Sequence, residues 1–304
     1  MKKDLLSVYD LDCIDFEVIF KKAQELKRML KEGISYTPLF GKTLGMIFEK
    51  SSTRTRISFE VGIYQLGGMA LFLSNRDTQL GRGEDISDTA RVMSRYLDAV
   101  VIRTYSQAFI EEFARDATIP VINGLTDQQH PCQILCDLFT VLEKKGNYEG
   151  LKVAYVGDGN NVANSWIDAA ARLPFQLSLA CPEKYEPNTD ILFRGRKEAK
   201  HGITIHRNPI DAVKDADVIY TDVWTSMGQE AEKEERTKIF KAYQVNKELL
   251  AQAQKDVIVM HCLPAHRGEE ITDDVIDGPR SVVIDQAENR LHVQKAIMEI
   301  LIGG

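Results

Sequence analysis

Along nearly the whole chain, apolar runs of three to five residues alternate with longer stretches whose apolar positions recur at helical spacing. That alternation predicts an α/β protein in which parallel strands are joined through helices. The predicted strands of the first half are 44–48, 70–73, 99–103 and 120–123. Those of the second half are 152–156, 176–180, 204–206, 218–221, 257–260 and 282–285. Between the two series, Ile134, Leu135, Leu138, Val141 and Leu142 share a helical face, so 131–145 reads as a long bridging helix that ends at Gly146. A last helix carries Val293, Ile297, Ile300 and Leu301 on one face and must dock on a neighbour.

The length of 304 residues fits two domains, with a boundary in the turn-rich 146–150. Hydrophobic residues at 44% supply two cores, and no internal repeat or low-complexity tract interrupts them. The acidic stretch 230–235 reads as a solvated helix start. A net charge of −7 argues against nucleic acid as a partner, because phosphate backbones select basic surfaces, so any phosphate site is local. Acidic residues from Asp4 to Asp15 interrupt the apolar stretch that a signal peptide would need, and no run is long enough to span a membrane. Five scattered cysteines do not form a disulfide framework and point to a reducing cytoplasm. Cys132 and Cys136 are one helical turn apart but lack a second ligand pair at zinc spacing, so they are read as buried thiols and no metal is expected.

Candidate chemistry lies where predicted strands end. Strand 44–48 runs into SSTRTR (51–56), after which Ile57, Val61 and Tyr64 recur at helical spacing. The run therefore opens a helix, whose free N–H groups and dipole favour an anion. Ser52, Thr53 and Thr55 add hydroxyls, while Arg54 and Arg56 add guanidinium forks suited to phosphate. A plain N-cap with solvated arginines is the alternative, although two arginines at this end oppose the helix dipole. Arg103 ends an apolar strand, the place where α/β sheets put ligand groups. His130 and Gln133 precede and open the long helix and could polarise a carbonyl.

In the second half, Gly157-Asp158-Gly159 half matches the dinucleotide-binding turn, but the third glycine is missing and Glu183 fits the ribose-binding acid only loosely. A tight turn presenting Asn160 and Asn161 to a small ligand is preferred. Asp222 ends strand 218–221 and leads into Ser226-Met227-Gly228, a carboxylate for an ammonium group followed by a loop that could close. His261 and Cys262 are adjacent on a strand and point to opposite faces, so neither readily activates the other.

Taken together, SSTRTR, HPCQ (130–133), DVWTSMG (222–228) and HCLPAHRGEE (261–270) resemble the signature set of the carbamoyltransferases, on the ornithine-specific side of the aspartate/ornithine carbamoyltransferase family. The resemblance runs nearly the full length. It implies a carbamoyl-phosphate-binding domain at 1–145 with helix 287–304 returning to it, an ornithine-binding domain at 146–286, and a homotrimer with active sites between subunits. It implies that Ser52, Thr53, Arg54 and Thr55 bind phosphate and that Arg103, His130 and Gln133 hold phosphate and carbonyl. Gln79, in loop 75–83, would reach a neighbouring subunit's site. Asn161, Asp222, Ser226 and Met227 would bind ornithine, Cys262 and Leu263 would line the reacting centre, and Arg290 would close the carbamoyl-phosphate pocket. Arg54, Arg103, His130, Gln133 and Cys262 would carry the catalysis. The implied reaction, carbamoyl transfer to the δ-amine of L-ornithine giving citrulline, serves arginine biosynthesis and needs no cofactor. An NAD-dependent dehydrogenase would leave SSTRTR and HPCQ without a role, and a non-catalytic paralogue would be expected to have lost a motif residue.

Overall fold

The computed structural model describes residues 2–74, 83–226, 228 and 230–303. Its contacts divide the chain into two compact units, Met1–Leu135 with Asn289–Gly304, and Cys136–Glu288. The first boundary falls inside the long helix and the second inside the last one, so the first unit is discontinuous in sequence. No described helix is long and apolar enough to cross a membrane.

The first unit runs α1 (Cys13–Lys31), β1 (Thr43–Phe48), α2 (Thr53–Gln65), β2 (Met69–Ser74), α3 (Ile86–Met93), β3 (Ala99–Arg103), α4 (Gln107–Asp116), β4 (Val121–Leu125) and the start of α5 (Pro131–Lys145). Its sheet is parallel in the order β2-β1-β3-β4. One side of the sheet packs Ile47, Val100 and Ile102 on Ile110 and Phe113. The chain moves outward from β1 to β2 and then crosses back to β3, so a topological switch point lies at the carboxyl ends of β1 and β3. Open α/β sheets bind ligands at such a point. Here Phe48 is registered beside Arg103, which brings the loop after β1 next to that arginine.

The second unit contains β5 (Lys152–Val156), α6 (Asn161–Ala170), β6 (Gln176–Ala180), α7 (Thr189–Glu198), β7 (Ile203–His206), α8 (Pro209–Val213), β8 (Val218–Thr221), α9 (Lys233–Phe240), α10 (Lys247–Leu250), β9 (Ile258–His261), α11 (Asp273–Ile276) and the start of α12 (Val283–Gly303). Its parallel sheet has the order β7-β6-β5-β8-β9, with the switch point between β5 and β8. Asp158 follows one of these strands and Asp222 the other.

One expectation is corrected. The run 282–285 is not a strand but the entry to α12; only an isolated bridge between Val259 and Ser281 remains of the sheet there. Its β-branched residues lead directly into Gln-Ala-Glu-Asn-Arg-Leu, mostly good helix formers, and the helix extends backward over them. Helix α2 forms as expected, but the stripe Ile57, Val61 and Tyr64 is exposed (53%, 36% and 77%), while Phe59, Gly62 and Ile63 face the core. α2 and α12 approach closely at Gly62, where a Cβ would stand 2.8 Å from the terminal methyl of the flexible Met298 side chain. Of the expected docking face of α12, Val293 and Ile297 are buried and Ile300 and Leu301 are half-buried. The helix returns to α1 of its own unit through Lys27 Nζ to Asn289 Oδ1 at 2.7 Å and Lys22 to Glu299 at 3.0 Å.

Candidate active site

The described candidate residues fall in two groups, one in each unit. In the first, Ser52 is the N-cap of α2, accepting the Thr55 N–H at 3.3 Å and donating its hydroxyl to Thr55 Oγ1 at 3.0 Å. Thr55 Oγ1 also accepts from Arg290 Nη2 at 2.8 Å, and Arg290 Nη1 donates to Gln133 Oε1 at 2.5 Å. A continuous hydrogen-bonded line therefore runs from the start of α2 through Arg290 of α12 to the first turn of α5. Thr53 is exposed and Arg54 half-buried on the same opening turn. The helix start thus combines an N-cap, the positive end of the helix dipole and nearby guanidinium groups, an arrangement that favours an anion. Arg56 takes another role, pairing with Glu60 at 2.9 Å and stacking 3.7 Å over the Phe72 ring.

Arg103 is buried at the end of β3, and its Nε donates to the Lys50 carbonyl at 3.2 Å. His130 is buried immediately before α5, where its carbonyl accepts the Gln133 N–H. Burial, reinforced by the Arg290 and Arg103 charges, holds its pKa well below the ordinary 6.5. The imidazole is therefore neutral at pH 7 and keeps one N–H as a donor. Lys50 is a further candidate that the motif reading passed over. It is buried, ion-paired with Asp127, and lies 4.2 Å over the Tyr105 ring, at the mouth of the β1–α2 loop.

In the second unit, Asp222 is buried just beyond β8. Its Oδ1 accepts from the Val223 N–H at 2.8 Å and from Cys262 Sγ at 2.9 Å, and its Oδ2 accepts from Asn160 Nδ2 at 2.7 Å. Asn160 is thus an internal brace, which also caps α6 by accepting the Val162 N–H, while half-buried Asn161 begins that helix. The two faces expected at the end of β9 are realised: Cys262 meets Asp222, whereas His261 Nε2 lies 3.0 Å from Glu270. Asp222, His261 and Cys262 offer ligand atoms within 4.8 Å of one another. Both ring nitrogens of His261 are already engaged, with Glu270 and the Leu263 N–H, so this trio is not a free metal donor set. Ser226 is half-buried. Gln79 and Met227, both expected ligands, lie outside the described residues.

The half-matched dinucleotide turn has a packing cause. A Cβ on Gly159 would stand 2.2 Å from the backbone of Glu186 and Pro187, so glycine is required there by the next loop. A neighbouring residue invisible to motif reading is Arg236 of α9. It is buried, donates to the Trp224 carbonyl at 2.5 Å and to Asp158 Oδ2 at 2.5 Å, and so anchors the segment after Asp222. Burial raises the Asp158 carboxyl to about 6, against the opposing pull of Arg236.

Residues 3–143 match the family described as aspartate/ornithine carbamoyltransferase, carbamoyl-P binding domain, and residues 149–301 match its Asp/Orn binding domain. The chain is similar to the ornithine carbamoyltransferase of Syntrophus aciditrophicus, 71% identical over 99% of this chain and 100% of that protein. Among solved structures it resembles the ornithine carbamoyltransferase of Pyrococcus furiosus, with a TM-score of 0.96, 54% identity, and coverage of 99% of this chain and 97% of that one. It also resembles the anabolic ornithine carbamoyltransferase of Campylobacter jejuni, with a TM-score of 0.92, 41% identity, and coverage of 99% of each chain.

Proposed function

The chain belongs to the aspartate/ornithine carbamoyltransferase family, and from that premise we infer that it transfers the carbamoyl group of carbamoyl phosphate to the δ-amine of L-ornithine, giving L-citrulline and phosphate. One observation carries the choice of amino-acid substrate: the buried Asp222 carboxylate, fixed by Asn160 and Cys262 and followed by the SMG run, is a site for an ammonium group. Aspartate brings a second carboxylate in place of an amine-bearing side chain.

Carbamoyl phosphate is held by the first unit. Ser52, Thr53, Arg54 and Thr55 bind the phosphate at the start of α2, with Lys50 beside them. Arg103, His130 and Gln133 hold phosphate and carbonyl, and Arg290 closes the pocket. Neutral His130 donates an N–H to the carbonyl oxygen, where negative charge grows as the amine attacks, while the guanidinium groups neutralise the departing phosphate. Ornithine is held by Asn161, Asp222, Ser226 and Met227. Its δ-amine must lose a proton before attack; the Cys262–Asp222 hydrogen bond supports that pair as the acceptor, with departing phosphate as the alternative. Cys262 and Leu263 line the reacting centre. No covalent enzyme intermediate is needed. Citrulline made in this way feeds arginine biosynthesis, in the cytoplasm.

We further propose a homotrimer in which Gln79 completes a neighbouring subunit's site. Support comes from the exposed apolar residues Ile57, Val61 and Tyr64 on α2 and Met69 and Leu71 on edge strand β2. The test of function is citrulline formation from carbamoyl phosphate and ornithine, run beside aspartate and putrescine. Citrulline with ornithine, and carbamoylation of neither other amine, is expected; folded protein that makes no citrulline would overturn the assignment.

A further inference from the structure

Glu270 is fully buried outside the substrate-binding residues and bonds to His261, itself 1% exposed. The Leu263 N–H lies 2.9 Å from His261 Nδ1. A backbone N–H can only donate, so Nδ1 is the acceptor and the ring proton sits on Nε2, directed at Glu270 Oε1 at 3.0 Å. The same Oε1 accepts the His266 N–H at 2.6 Å. From behind, the His261 N–H donates to Gln286 Oε1 at 3.0 Å, and Gln286 Nε2 donates to Asp137 Oδ1 at 2.7 Å. Leu263 has φ +56°, the left-handed region that a leucine occupies only when its surroundings hold it there. The ring therefore ties the turn at residue 263 to the segment 266–270, and neither of its nitrogens is left to serve the Cys262 thiol.

We propose that His261 and Glu270 are positioning residues for carbamoyl transfer, which set the Cys262–Leu263 turn against Asp222 through hydrogen bonds and take no proton from the reaction. This rests on the carbamoyl-transfer reading above. Glu270→Gln keeps an oxygen that can accept from both Nε2–H and the His266 N–H, whereas Glu270→Ala removes it. Displacing a reacting-centre group by about 1 Å costs on the order of 100-fold in rate.

The experiment measures kcat and both KM values for the parent, Glu270→Gln and Glu270→Ala, together with carbamoyl-phosphate affinity by calorimetry. The pH dependence of Cys262 alkylation by iodoacetamide is followed on the tryptic peptide by mass spectrometry. Glu270→Gln should stay within about threefold of the parent in kcat, with an unchanged alkylation profile. Glu270→Ala should lose kcat by roughly 30- to 100-fold while still binding carbamoyl phosphate. The proposal is overturned if Glu270→Gln is as damaging as Glu270→Ala, if the glutamine variant shifts the thiol's profile, or if folded Glu270→Ala turns over normally. Should Glu270→Ala not fold, His261→Asn decides, because an asparagine Oδ1 can still accept the Leu263 N–H. It must then retain more activity than His261→Leu, and equal losses reject the idea. A parent that makes no citrulline refutes the reaction; an active parent with any of these contrary outcomes refutes only the positioning role.

Discussion

At the scale of single residues, His130 shows how environment assigns chemistry. The sequence marks His130 as a group that could polarise a carbonyl but leaves its charge open; burial, reinforced by the Arg290 and Arg103 charges, keeps it neutral at pH 7. The same displacement has a thermodynamic consequence. Its folded pKa is depressed, so as pH falls below 6.5 the unfolded chain takes up a proton that the folded chain refuses, and stability is lost. The slope approaches about 1.4 kcal/mol per pH unit for one proton. Denaturant unfolding of the parent and of His130→Gln between pH 5 and 7 should give stability curves that diverge below pH 6.5, the parent falling more steeply. Parallel curves would mean that His130 takes its proton in the folded state as readily as in the unfolded chain.

At the scale of elements, α9 matters less as a helix than as the carrier of Arg236. That guanidinium, packed 4.8 Å from the Tyr185 ring, ties the segment following Asp222 to the β5–α6 turn. Arg236→Gln should therefore raise KM for ornithine by about tenfold or more and leave KM for carbamoyl phosphate near the parent value; steady-state kinetics with each substrate varied in turn checks this. The elements differ in how openly they announce themselves. Strands β3, β5, β6 and β8 and helix α5 have the bounds that periodicity predicts, because each is a short apolar run or a strong helical stripe. The start of α2 was legible as a candidate anion site, since its hydroxyls, arginines and preceding strand are contiguous. Lys50 and Arg236 were not, because their partners Asp127 and Asp158 lie 77 and 78 residues away. Helix α2 also shows the limit of a hydrophobic stripe: periodicity reports a helix, but Ile57, Val61 and Tyr64 do not face their own core.

At the scale of the whole molecule, that outward stripe and the exposed residues of β2 make self-association the economical reading. Light scattering should give three times the 34.3 kDa chain mass. Tyr64→Glu, placing a charge at a residue 77% exposed in the single chain, should shift the protein toward monomer and lower its citrulline output together. A trimer undisturbed by this change would move the interface elsewhere. The discontinuity of the first unit has a consequence in time rather than space. Arg290, which joins Thr55 to Gln133, is translated after every residue of the second unit. On the ribosome, the second unit can assemble from a continuous stretch as it emerges, whereas the first must wait, with Ser52, Thr55 and Gln133 already made, for residues 289–303 to complete it.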